Sequence, residues 1–341
     1  MEIASVDSGS ETEWDAFVDR QPQASLYHLS AWRGIIREVF GHEVIGLAAR
    51  NAAGVAGVLP LVRLRSRLFG DYMVSMPYFN YGGALATSAA LAGRLMTAGA
   101  ALAERAGCGH VEFRDTVVRD GWAARTDKVA MQLELPGTYD QLWSALGSKL
   151  RAQVRRPQKE GCEVLHGGAD LLSGFYTVFA RNMRDLGTPV YPRSFFDAIL
   201  RTFPERATIV LVRHERRPVA AGLLLGFRGV LEIPWASSLR EHNSLGVNML
   251  LYAEALRTAI ERGYRIFDFG RSSVDSGTYR FKKQWGASPR QLYWHYWLPK
   301  NRELPRLTPD NPRYRLAIAA WQRLPVCVAN RLGPRIVKYL P

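Results

Sequence analysis

Cysteine is scarce in this 341-residue chain, and the few present do not group. Cys108, Cys162 and Cys327 are odd in number and scattered, with no metal-ligand spacing. No metal site is expected, and a reducing, cytoplasmic compartment is the simplest reading. Long apolar runs are also missing. No stretch approaches the roughly 18 residues a spanning helix needs, and GLLLGF (Gly222–Phe227) reads as a buried strand. The opening MEIASVDSGSETEWD is acidic and polar, unlike a secretory signal. Acid is in short supply over the whole chain: 31 Asp and Glu against 45 Lys and Arg leave a formal charge of +14. Such a field favours anionic partners, whether nucleic acid, pyrophosphate-bearing substrates or an acidic membrane surface. Hydrophobic residues are not lacking, at 47 %, so the chain has material for a real core and room for two domains or one large one.

Periodicity predicts helices over residues 11–20 and 29–39, the second stopped by Gly41. Strands follow at Val44–Ala49, Val55–Val62 and Asp71–Met76, then the rigid aromatic loop PYFNYGG (Pro77–Gly83). An Ala-rich helix over 88–106 leads to a strand at His110–Arg114, and Val129–Leu135 is expected to close the first half. A helix over 138–160 carries the basic stripe Lys149, Arg151, Arg155, Arg156 and Lys159, and Pro157 should kink or end it. That stripe is either a solvated face or an anion-binding one. Helices over 170–186 and 194–203 flank the loop GTPVYP. Strands return at Thr208–Arg213, Val219–Phe227 and Val230–Ser237, and a helix spans Leu245–Arg262. The aromatic strand Gln291–Leu298 precedes a Pro-rich linker over 299–312. Arg313–Leu324 is amphipathic and fits packing on the protein's own body better than lipid association.

The two halves repeat one another. GVAGVLPL (Gly54–Leu61) resembles PVAAGLLL (Pro218–Leu225), and AERAGCGHVEFRD (Ala103–Asp115) resembles IERGYRIFDFGR (Ile260–Arg271). Only the second copy carries an elaborated polar segment, Tyr264–Pro289. There a strand Arg265–Phe269, with Asp268 near its end, breaks at Gly270. A polar loop follows with Arg271, Ser272, Ser273, Asp275, Ser276 and Thr278, and order resumes at Tyr279. Catalytic groups often sit on such a loop after a strand. The same residues also fit an ordinary polar loop with a solvated Lys282–Lys283 pair.

These motifs resemble the FemAB family of peptidoglycan-type aminoacyltransferases. DFGR (Asp268–Arg271) and YRFKKQWG (Tyr279–Gly286) are similar to the family's late signature. LPLV at Leu59, SRLFG at Ser66, YGG at Tyr81, MRDLGTPVYP at Met183 and FDFGRSS at Phe267 are similar to a FemAB-like subgroup found with exosortase and PEP-CTERM systems beside exopolysaccharide loci. The resemblance implies an α+β (mixed α/β) fold of tandem GNAT-like halves packed as one body. Residues 1–137 would form the first half, 138–298 the second with the acyl-transfer site, and 299–341 a linker and C-terminal helix. It also implies that Phe281 and Lys282 are the family's Phe–Lys pair, the lysine stabilising the oxyanion. Arg33 or Arg37, on the early helix, would meet the phosphates of a sugar nucleotide. Arg271, Tyr81 and Tyr191 join them as substrate-binding candidates. This chain departs from the family in carrying DFGR where a second glycine is usual and in lacking the coiled-coil arm.

N-acyl transfer needs an activated acyl group, a neutral amine, an acceptor for its proton and a donor to the tetrahedral oxyanion. Lys282 is the donor candidate, and Tyr279 either orients the acyl carbonyl or packs in the core. Asp268, Glu232, Asp275 and His242 are available as bases, with Asp268 equally suited to pairing with Arg271. Asn243, Gly246 and Asn248 make a degenerate glycine loop before a helix, a place where acyl-CoA pyrophosphate could rest. The expectation is an N-acyltransferase using aminoacyl-tRNA or acyl-CoA as co-substrate, with no tightly bound cofactor. It would act on a sugar-nucleotide or lipid-linked envelope or exopolysaccharide precursor at the cytoplasmic face of the membrane, and DNA is not among the expected partners. An acyl-CoA-dependent N-acetyltransferase of an amino sugar, and a non-catalytic glycolipid- or nucleotide-binding protein, remain as alternatives.

Overall fold

The computed structural model describes all residues except Met1, Asp7, Ser8, Asn301, Arg302 and residues 305–311, so most of the expected linker lies outside the described residues. Two compact units emerge: Met1–Val129 with Gln291–Arg306 and Lys338–Pro341, and Ala130–Arg290 with Leu307–Val337.

In the first unit, β1 (Glu2–Ser5), helices α1 (Glu11–Arg20) and α2 (Ala31–Phe40), β2 (Glu43–Asn51), β3 (Gly54–Ser66), β4 (Gly70–Val74) and β5 (Leu85–Ala86) precede α3 (Ala89–Arg105), β6 (Val111–Asp115) and β7 (Ala123–Arg125). Gly41, at φ 69°, ends α2 as expected. Ser88 caps α3 through its Oγ, which accepts from the Leu91 N–H at 3.2 Å. The buried face of α3 (Leu91, Leu95, Met96) meets Leu59, Leu61 and Phe113 of the sheet.

The second unit runs from β8 (Lys128–Glu134) through α4 (Tyr139–Ala145), α5 (Ser148–Lys159), β9 (Glu163–Gly167), α6 (Leu172–Leu186), α7 (Arg193–Thr202), β10 (Ala207–His214), β11 (Arg217–Phe227) and β12 (Val230–Ser238). It continues with α8 (Val247–Glu261), β13 (Ile266–Ser273), α9 (Gly277–Lys283) and β14 (Ser288–Gln291). Strand β15 (Tyr293–Trp297) returns to the first sheet, and α10 (Pro312–Gln322) and α11 (Val326–Val337) follow. No helix among the described residues is long and apolar enough to cross a membrane.

The sheets are ordered β1-β2-β3-β4-β6-β15-β7, with β5 on β3, and β14-β8-β13-β12-β11-β10-β9. The repeat read from the sequence recurs as β2-β3-β4-β6 and β10-β11-β12-β13, each a meander followed by one parallel pair. Glu112 faces Val74 in one parallel pair, and Asp268 faces Glu232 in the other. The closing strands differ from the expectation. β8, expected in the first half, lies between β13 and β14, where Gln132 reaches Asp268. β15, expected in the second, pairs with β6. There Tyr296 donates to Glu112 and Trp294 lies 4.4 Å beneath the Arg114 guanidinium, so β15 covers a buried ion pair of the first sheet.

Pro157 does not end its helix, and the break falls earlier, at Leu146–Gly147. Two residues from the end of α5, the missing proline N–H orphans only the Gln153 carbonyl. Strand β13 runs past Gly270 to Ser273, the loop after it forms α9, and β9 and α11 are added. Among the described side chains of α10, Ile318 and Trp321 turn inward. Leu316, expected on the packed side, is 83 % exposed.

An aromatic cluster joins α6 and α7 to the sheet: Phe196 lies 4.9 Å from Phe175, 5.0 Å from Phe179 and 5.1 Å from Trp235. Removing the central ring leaves a cavity that these rigid neighbours cannot fill. Phe196→Ala should cost about 3–5 kcal/mol, read as a lower urea midpoint.

Candidate active site

Strands β12 and β13 pair in parallel only from Val230↔Ile266 to Glu232↔Asp268, although both run on for several residues. Beyond that point β13 turns at Gly270, whose φ of 74° favours glycine. The carbonyls of Gly270 and Arg271 there accept from Lys282 Nζ, at 3.0 and 2.8 Å. Lys282 thus sits where the two strands stop pairing.

Helix α9 holds it there. Ser276 caps the helix: its Oγ accepts from the Tyr279 N–H at 3.2 Å and donates to the Ser273 carbonyl at 2.7 Å. Asp275, with φ 60°, makes the tight turn before it. Phe281 packs edge-on against Tyr252 of α8 at 5.0 Å, and Tyr252 stacks on Phe269 of β13 at 5.6 Å. The turn, the cap and the aromatic clamp together fix the lysine's neighbour and its backbone.

Burial lowers the Lys282 pKa from 10.5 to about 8, while Asp268 and then Glu232 oppose the shift by attraction. Asp268 is buried; it accepts from Gln132 Nε2 at 3.0 Å and from the Gly270 N–H at 2.7 Å. Near neutral pH Lys282 is therefore an ammonium in a buried site. Two of its three N–H groups go to backbone carbonyls, which leaves one for a substrate oxygen.

A second feature of the same unit is a cavity of about 380 Å³ at the start of α8. Gln153, Arg156, Ser238, Asn243, Ser244, Gly246 and Asn248 contribute to its wall. Gly246 has φ 82°, and a Cβ there would lie 3.0 Å from the Gln153 carbonyl, so α5 and α8 approach closely only over a glycine. The Asn243 carboxamide oxygen accepts from Ser238 Oγ at 3.2 Å. An arginine, hydroxyls and amides beside a helix N-terminus suit a phosphate. Among the described residues no group of His, Cys, Asp and Glu could hold a metal ion.

Lys282, Phe281, Asp268, Tyr279 and Arg271 thus gather on β13 and α9, and Asn243, Gly246 and Asn248 at the cavity. Tyr279 is buried and Arg271 exposed. Tyr191 joins the aromatic cluster, 5.4 Å from Phe195 and 6.3 Å from Trp235. Arg33, Arg37 and Tyr81 belong to the first unit. Arg37 is exposed, and Tyr81 stacks on Tyr27 at 6.3 Å. Arg33 is buried over Trp14 at 4.8 Å, with Glu11 3.9 Å away, and burial lowers its pKa. Its Nε and Nη2 have no hydrogen-bond partner. Sequence reasoning missed Gln132, which carries no local signal, and Arg156, visible only as part of the basic stripe. His242 lies beside His214, with ring centroids 5.8 Å apart.

Residues 148–283 match the family model of the acetyltransferase (GNAT) domain. Among solved structures, FemX superposes with a TM-score of 0.67 at 15 % identity, covering 93 % of this chain and 100 % of its own. A tandem GNAT protein from the clavulanic acid biosynthesis pathway gives 0.55 at 12 % identity over 89 % and 99 %. The chain has a FemAB-like tandem GNAT fold. L-PGS from Bacillus licheniformis is similar too, with 0.56 at 15 % identity over 92 % and 96 %. At these identities the likeness is one of fold. No curated protein matches the sequence. Within the tandem GNAT frame, Lys282, Asp268, Arg156 and Gly246 all fall inside the matched GNAT domain, whereas Arg33, Arg37 and Tyr81 fall outside it.

The lysine shift has a measurable sign. Its folded pKa of about 8 lies below the unfolded 10.5, so the folded chain sheds the proton first. The burial penalty is present in full below pH 8 and is relieved as pH rises toward 10.5. Relative to Lys282→Met, the protein should gain stability over that window by up to about 3 kcal/mol. Denaturant titrations of both proteins at several pH values would read it, and a pH-independent difference would contradict it.

Proposed function

We propose that this protein is an N-acyltransferase that moves an aminoacyl or acyl group onto an amine of a cell-envelope or exopolysaccharide precursor. The single observation that carries the reading is Lys282, a buried ammonium fixed where β12 and β13 part, with one N–H to spare. In the proposed reaction the acceptor nitrogen attacks the acyl carbonyl carbon. A C–N bond forms, and the carbonyl π pair moves onto oxygen. Lys282 donates to that oxyanion, a charge-assisted bond in a water-poor site. When the intermediate collapses, the bond to the donor's ester oxygen or thioester sulfur breaks, and the amine proton leaves with that group. Phe281 and the Ser276 cap keep the lysine in place.

The donor is a polyanion. Five cations on α5 (Lys149, Arg151, Arg155, Arg156 and Lys159) and the cavity behind Arg156 support either aminoacyl-tRNA or acyl-CoA. The resemblance of YRFKKQWG to the late FemAB signature favours the aminoacyl donor. The cavity at the α8 N-terminus favours acyl-CoA, and with it the amino-sugar N-acetyltransferase reading. Resemblance to the exosortase-associated subgroup supports an exopolysaccharide acceptor and work at the cytoplasmic face. A non-catalytic binder of glycolipid or nucleotide gains nothing from a buried ammonium that keeps one N–H uncommitted.

Turnover of amino-sugar acceptors with aminoacyl-tRNA or acyl-CoA donors tests this directly. Lys282→Ala should lower kcat by about 10²–10³-fold with the circular dichroism spectrum unchanged. The rate should also fall as pH rises through about 8, where the ammonium is lost. A variant with full turnover, or full complementation of the cellular role, would favour the binding-protein reading.

A further inference from the structure

The segment Pro312–Val337, which holds α10 and α11, carries five arginines and no Asp or Glu. Their inward faces are accounted for. Ile318 meets Gly187 at the end of α6, the Leu324 carbonyl accepts from Arg184 Nη1 at 2.8 Å, and Gly333 of α11 lies against Val190. Ala329, Gly333 and Val337, four residues apart, form the buried seam of α11. Its outward face is formed by Val328, Arg331, Leu332 and Arg335, which fall at i, i+3, i+4 and i+7, and all four are exposed. Eight large hydrophobic side chains stand exposed among the described residues. Three of them fall within one short segment: Leu316 of α10, and Val328 and Leu332 of α11. Exposed apolar groups grouped on one short segment mark an interaction surface, whereas scattered ones do not.

We propose that the outward face of α11 rests on a lipid bilayer bearing anionic headgroups. Val328 and Leu332 would enter the interfacial region, and Arg331 and Arg335 would meet the phosphates, in the manner of an interfacial amphipathic helix. The charge decides between occupants. A second copy of this chain would set arginine against arginine, while an anionic lipid surface complements a face with cations and no carboxylate. The sequence pattern placed the amphipathic stripe on Arg313–Leu324. The structure moves the exposed face to α11, because α10 spends Ile318 and Trp321 on packing. This inference does not depend on the acyl-transfer chemistry.

Co-sedimentation of the full chain with vesicles tests it. Vesicles of phosphatidylcholine containing about a quarter phosphatidylglycerol should bind the protein about tenfold more tightly than phosphatidylcholine alone, and salt near 0.5 M should weaken binding. Val328→Asp with Leu332→Asp should reduce binding about tenfold, as should Arg331→Glu with Arg335→Glu, both with melting temperatures unchanged. Lys149→Glu with Arg155→Glu on α5 should leave vesicle binding intact. Three results would overturn the proposal: no binding to anionic vesicles, binding unmoved by either α11 pair, or binding abolished only by the α5 pair. Concentration-dependent dimerisation lost in the α11 variants, without vesicle binding, would assign the face to a second copy instead.

Discussion

One buried ammonium ties the second unit together. Lys282 satisfies two carbonyls of β13 at the place where the strand leaves its parallel partner, and it does so from a short helix with its own cap and turn. Burial weakens the lysine's hold on its proton, and Asp268 and Glu232, paired across the strands, strengthen it. The balance leaves the group charged at neutral pH but close to losing the charge. Removing either carboxylate would tip it toward the neutral amine. The same carboxylates therefore set the protonation state that the proposed oxyanion role of Lys282 requires, and Gln132, by binding Asp268, acts on the lysine at one remove.

The first unit shows what the repeat becomes without that lysine. Glu112 occupies the register of Asp268 but is met by Arg114 and Tyr296, and Trp294 covers the guanidinium. That cluster is filled by the protein's own side chains. Burial of Arg114, at 1 % exposure, leaves little access for a ligand. A buried lysine beside the strand acid in one copy and a filled ion-pair cluster in the other fit a tandem fold whose halves have diverged.

Much of this was legible in the chain itself. The repeat, the strand acids, the Phe281–Lys282 pair and the glycine before α8 are local patterns, and local patterns report local structure. Strand partners are another matter. Alternation in Val129–Leu135 and Gln291–Leu298 marks a strand but does not say which sheet receives it, and chain order suggests for β8 and β15 the sheet that each does not join. The continuation of β13 past Gly270 was hidden because a glycine reads as a stop, whereas here it turns a strand whose carbonyls a lysine then claims. Pro157 reads as a kink or an end of its helix, yet α5 continues to Lys159 and the Gln153 carbonyl comes to lie over Gly246, a tertiary fact no periodicity contains. Charge was informative in amount and uninformative in place until the structure separated the cations of α5 from those of α10 and α11.

The claim at the centre is that the second unit holds an activated acyl donor beside Lys282. Thermal stability of the purified chain, titrated with acyl-CoAs and with charged and uncharged tRNA at two salt concentrations, tests it most directly. A donor at 100 times its Kd should stabilise the fold by about 2.7 kcal/mol. Stabilisation should require the acyl group and be lost in Arg156→Glu. Equal stabilisation by charged and uncharged tRNA that vanishes with salt, together with none by acyl-CoA, would contradict it.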